Sequence, residues 1–110
     1  MKNIELVKQF ELGKIPQTSK NKDAAKIFDG TRRQMLEVIL RGGEVLSKHI
    51  AKEPITVFCL AGKGTFRAGK DLQEEQKLTA GTLITLEAEI EHEVVAESEI
   101  HILVTKFKAA

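Results

Sequence analysis

The chain has 110 residues, 42% of them apolar and 30% charged, and 17 basic against 16 acidic side chains leave a formal net charge of +1. This composition describes one ordinary globular domain with a modest core, and the charge balance excludes the electrostatic footprint of nucleic-acid binding or of attachment to an anionic membrane. One Cys excludes an internal disulfide and every multi-cysteine zinc pattern.

No apolar run approaches the ~20 residues that a membrane-spanning helix needs. The first ten residues, MKNIELVKQF, lack the apolar region and small-residue cleavage site of a signal peptide. The expected compartment is cytoplasmic.

In chain order, Ile4 to Val7 is a short apolar segment with the character of an edge strand, and residues 11–23 read as a polar surface loop. Residues 1–23 are therefore taken as an N-terminal segment and residues 24–110 as the domain. Ala24 to Asp29 reads as a strand closed by the tight-turn pair Asp29-Gly30. Arg32 to Leu40 is ambiguous on local grounds. Thr31 and Gln34 have capping-box spacing and Gly42-Gly43 would close a helix, yet the segment follows a hairpin-type turn.

Beyond Gly42 the glycines at 43, 62, 64, 69 and 81 cut the chain into pieces of strand length. Ile55 to Leu60 is β-branched, aromatic and uncharged, and it stops near Gly62, so it reads as a buried strand. Pro54 precedes it, where no ladder hydrogen bond is lost. Thr65 to Ala68, Leu83 to Leu86, Glu93 to Ala96 and Ile100 to Phe107 are further strand candidates. Asp71 to Leu78 has helical composition but is too short between Gly69 and Gly81 for a stable helix. Many short strands with Gly turns predict an all-β sandwich or barrel.

Two stretches carry the chemistry. The first, Gly43 to Gly62, holds His49 ahead of the apolar strand. The second, Gly81 to Ala96, holds His92 at the opening of another. Gly43, His49 and Gly62, followed by Gly81 and His92, fall in register with the two motifs of the cupin superfamily. Over roughly residues 32–107 the chain resembles the small single-domain cupins. The resemblance implies a cupin-type jelly-roll β-sandwich closed into a small barrel, and it places Arg32 to Leu40 in a strand.

The family commonly holds a metal with two His and a Glu from its first motif and a His from its second. Here Ala51 stands at the second His position and Ile55 at that of the Glu. Glu87, Glu89 and Ala96 replace the second motif's Pro, Gly and Asn. Only His49 and His92 carry over, so the metal motif is degenerate. Two imidazoles bind Zn, Ni, Fe or Cu, but a dedicated site supplies three or four protein ligands.

Other titratable groups are weaker candidates. Strand alternation puts His101 on the face opposite Ile100 and Ile102, with exposure on the barrel exterior expected. Cys59 shares the inward face with Ile55 but lies about 13 Å further along, too deep to join His49 at a metal. It reads as a small core residue. Glu87, Glu89, Glu91 and Glu93 read as a solvated face; the competing idea puts Glu87 or Glu89 over the cavity mouth, near an imidazole.

Two functions follow. The first is a small-molecule binding module whose barrel is lined by Ile55, Val57, Cys59, Val94 and Ala96, with His49 and His92 at its polar end. The second is a metal-dependent enzyme of oxygenase or isomerase type with His49 and His92 as ligands and His101, Met35 or a Glu completing the shell. The resemblance also implies a homodimer, in which exposed sheet edges meet a symmetric partner.

Overall fold

In the computed structural model, residues 3–109 are described, excepting the side chains of Lys48 and His49. The fold is built from seven strands: β1 Lys22–Asp29, β2 Arg33–Leu40, β3 Val45–Ile50, β4 Ile55–Ala68, β5 Glu74–Leu78, β6 Leu83–Leu86 and β7 Glu91–Phe107. A single 3₁₀ turn at Lys70–Leu72 separates β4 from β5. Every strand pair is antiparallel, and the strands run in the order β1-β2-β7-β4-β5, with β3 added to β7 and β6 to β4.

The long pair β4/β7 is the spine. Its register runs from Ile55 opposite Lys106 to Ala68 opposite His92, with irregularities between Cys59 and Ala61 and between Gly62 and Gly64. Each half of the ribbon serves a different sheet. The C-terminal half of β7 lies between β2 and the first half of β4. Its N-terminal half lies between β3 and the second half of β4. The ribbon therefore turns a corner at its bulges, which bend strands and raise their twist, and the two sheets face each other as a jelly-roll sandwich.

Gly62 makes the corner possible. Its φ is +85°, and a Cβ there would lie 2.3 Å from the Glu99 carbonyl oxygen. Gly62 and Gly64 thus mark a bend within one strand, where the sequence suggests a stop. The expected separate strands Thr65–Ala68 and Glu93–Ala96 are the second half of β4 and the first half of β7.

Between the sheets lies one apolar core. Val38 and Leu40 from β2, Val57 and Cys59 from β4, and Ile100 and Ile102 from β7 are all within 1% of complete burial. Phe66, Leu78 and Val94 close it from the other sheet. Their alternation along each strand is the two-residue period of a half-buried sheet.

β2 breaks that alternation, because Glu37 to Leu40 are buried without exception. The cause is the N-terminal segment. Residues 4–7 form no strand, contrary to the edge-strand expectation, and residues 8–16 run as an irregular strap over the outer face of β2, β7 and β4. The Gly13 amide donates to the Leu60 carbonyl at 3.0 Å. Lys8 pairs with Glu37, and Arg41 donates to the Pro16 carbonyl. Beneath the strap Ile39, Leu60 and Ala61 are 5% exposed or less, forming a second, thinner apolar layer.

Candidate functional site

A cavity of about 160 Å³ opens between the two sheets. Ile55 and Val57 of β4, Val94 of β7 and Leu36 and Val38 of β2 supply its apolar walls, and His92 and Lys106 contribute its polar groups. Ile55, Val57 and Val94 are 3%, 1% and 1% exposed, and each faces inward through strand alternation. Cys59 and Ala96 lie deeper, in the packed core, and do not line the open space.

His92 is the best-defined polar group of the site. It is 2% exposed, and its ring stacks on Phe66 with centroids 5.8 Å apart and an interplanar angle of 13°. Its Nδ1 lies 3.0 Å from the Ile90 carbonyl oxygen. A carbonyl only accepts, so Nδ1 carries the proton and Nε2 of the neutral ring is an acceptor. The turn that delivers this geometry uses Glu89 at φ +66°, whose amide donates to the Ala51 carbonyl at 2.8 Å. That bond ties the loop before β7 to the loop after β3, and so fixes the rim of the cavity.

Across the β3/β7 pair, the backbone of His49 stands directly opposite that of His92; its side chain lies outside the described residues. Among the described residues, no three His, Cys, Asp or Glu side chains converge. Ile55 contributes hydrocarbon at the position of the family's carboxylate. The Cys59 thiol lies 3.5 Å from the Ala61 carbonyl oxygen, deep in the core, and burial pushes its pKa up, which disfavours the thiolate a metal would take. The described donors do not make a three-ligand metal centre. Glu87 and Glu89 are exposed and do not line the cavity.

His101 is a correction to the sequence reading. It does lie on the outer face of β7, but it is 1% exposed because the strap covers it. Its Nε2 donates to Glu37 at 2.7 Å, and the Phe10 ring meets it edge-on at 5.8 Å. Burial favours a neutral Glu37 carboxyl, but the hydrogen bonds from Lys8 and His101 outweigh it and hold the pKa below the ordinary glutamate value of 4.5. This buried pair clamps the strap and lies apart from the cavity.

No family model and no curated protein matches the sequence. Solved structures do. A cupin superfamily protein from Desulfitobacterium hafniense superposes with a TM-score of 0.76 at 13% identity, covering 86% of this chain and 84% of its own. An RmlC-like cupin with a double-stranded β-helix fold from Methanocaldococcus jannaschii gives 0.72 at 16% identity over 89% and 90%.

The chain has a cupin fold.

A conserved Streptococcus pyogenes protein of unknown function also superposes, with a TM-score of 0.75 at 16% identity over 98% of both chains. At such identities the likeness extends to the fold and no further, because one fold carries many chemistries. Within this cupin fold, sequence reasoning missed Lys106 and Phe66 at the cavity. The signal for Lys106 was present: Ile100, Ile102, Val104 and Lys106 form one alternating row. Phe66 carried none, since its partner His92 is distant in sequence.

Proposed function

We propose that this cupin binds a small organic molecule in its barrel, with His49 and His92 at the polar end and Ile55, Val57 and Val94 as apolar wall. The observation that carries the reading is a largely apolar cavity whose buried imidazole is held in one tautomer by Ile90 and in one plane by Phe66. Few convergent polar groups in an apolar cleft are what a ligand site requires. The same reading takes the protein to be a cytoplasmic homodimer.

One observation favours a second reading, a metal-dependent enzyme of oxygenase or isomerase type. The backbones of His49 and His92 occupy facing positions on β3 and β7, the pair of residues that a Zn, Ni, Fe or Cu ion would recruit. A bound metal would supply Lewis-acid or redox chemistry that these side chains lack.

Elemental analysis of untagged protein separates the two, combined with Zn, Ni, Fe and Cu titrations of wild type and of the His49→Ala/His92→Ala double variant. The binding-module reading expects no stoichiometric metal and no uptake that depends on the two histidines. Near-stoichiometric metal that disappears in the double variant overturns it in favour of the enzyme.

A further inference from the structure

The final strand sends Ile100, Ile102 and Val104 into the barrel, and strand alternation makes Lys106 the next residue on that inward face. Ile100 and Ile102 are completely buried and Val104 is 7% exposed. Lys106 follows them to the rim, where it is half-buried and lines the same cavity as Ile55, Leu36 and His92. Its neighbours across the ladder are Ile55 on β4 and Gln34 on β2, neither of them charged. Among the described residues no carboxylate lies within ion-pair distance of its ammonium.

An inward lysine without a counter-ion is chemically directional. A cation at the rim of an apolar cavity favours an anion or a strong acceptor as the polar group of whatever occupies it. The corner at Gly62 sets the second element of the site. Lys106 and His92 stand at opposite ends of β7, yet the folded ribbon brings both to one cavity, with aliphatic side chains among them.

We propose that Lys106 is the anion anchor of the barrel, and that the ligand is a small monocarboxylate with an apolar body of roughly six carbon atoms. This deepens the small-molecule reading given above and rests on it. The size follows from the volume: a cavity of about 150 Å³ accommodates benzene, and this one is about 160 Å³. The charge follows from Lys106, the one ammonium among the described lining residues. One lysine among apolar walls matches a monoanion, whereas a phosphate dianion needs several more donors, and an amine would be repelled.

The test compares ligands of one shape and different charge on the untagged full chain: benzoate, benzyl alcohol and benzylamine, by calorimetry or ligand-observed NMR. Benzoate is expected to bind roughly tenfold or more tightly than benzyl alcohol, because an ammonium–carboxylate ion pair replaces an ammonium–hydroxyl hydrogen bond. Lys106→Met is expected to abolish that ratio, so that benzoate binds no better than the alcohol, while Lys106→Arg retains it. Should Lys106→Met fold poorly, Lys106→Gln serves, and the wild-type selectivity needs no variant. Equal or weaker binding of benzoate, or an advantage that survives in Lys106→Met, overturns the carboxylate assignment. Benzyl alcohol that still binds in that case leaves the barrel-binding reading standing; a wild type that binds none of the three overturns both.

Discussion

Opposed forces act on Glu37. It sits on the outer face of β2, 6% exposed, and its charge survives there because Lys8 and His101 both donate to it. Burial opposes the charge, the hydrogen bond from Lys8 is the larger of the two that favour it, and that from the buried His101 adds to it; Lys8 is nearly half exposed, so solvent screens part of its share. A depressed carboxyl pKa means that this contribution is fully present above the unfolded value near 4.5 and is lost as pH falls through the folded value. Glu37→Gln keeps an acceptor for His101 but removes the charge, and it is expected to cost about 1–3 kcal/mol at neutral pH. Urea denaturation of both proteins from neutral into acid checks this: the gap should close below pH 4.5, and a gap independent of pH would sink the assignment. Sequence alone could not pair these two residues. Glu37 and His101 are 64 positions apart, and each reads locally as an exposed polar position.

At the scale of the element, the β4/β7 ribbon and its corner decide where the cavity opens. A Cβ at Gly62 meets the Glu99 carbonyl oxygen at 2.3 Å and the Ile100 Cα at 2.8 Å, both on backbone that cannot rotate away. Gly62→Ala is therefore expected to cost at least about 3 kcal/mol, adding that clash to the strain of a positive φ. Gly43 is the control. Its φ is +72° but nothing lies within 4 Å of a Cβ, so Gly43→Ala should cost only about 1–2 kcal/mol. Thermal or urea melts of the pair measure the difference, and equal losses would show that the corner tolerates a side chain. The strands themselves were largely legible, since Ile55–Leu60 and Ile100–Phe107 announce themselves by β-branched content. Their continuity through Gly62 and through residues 97–99 was not, because a bulge and a strand end use the same small or polar residues. β2 is ambiguous on local grounds for a different reason, and only the resemblance placed it in a strand: covered on both faces, it lost the alternation by which a strand is recognised.

For the whole molecule, the open question is assembly. The sheet path ends in β1 and β5, each of which pairs with one neighbouring strand among the described residues. Ile50, Leu83 and Phe107 are 52%, 65% and 41% exposed. A symmetric partner would cover such edges and side chains, so the expected mass by light scattering at micromolar concentration is that of a dimer. A monomeric mass would remove the homodimer proposal.

The sequence by itself determined the class of fold, because β-branched runs cut by glycines leave an antiparallel sandwich as the economical way to bury them. The resemblance to the cupin motifs nominated His92, and alternation, which fixes the residues that share a face, nominated the inward row of β4. What only the tertiary structure decided is which faces are covered and which distant groups meet: His101 against Glu37 under the strap, Phe66 against His92, and Lys106 at the barrel rim. Alternation fixes direction within a strand, but it says nothing about what the rest of the chain lays against that face.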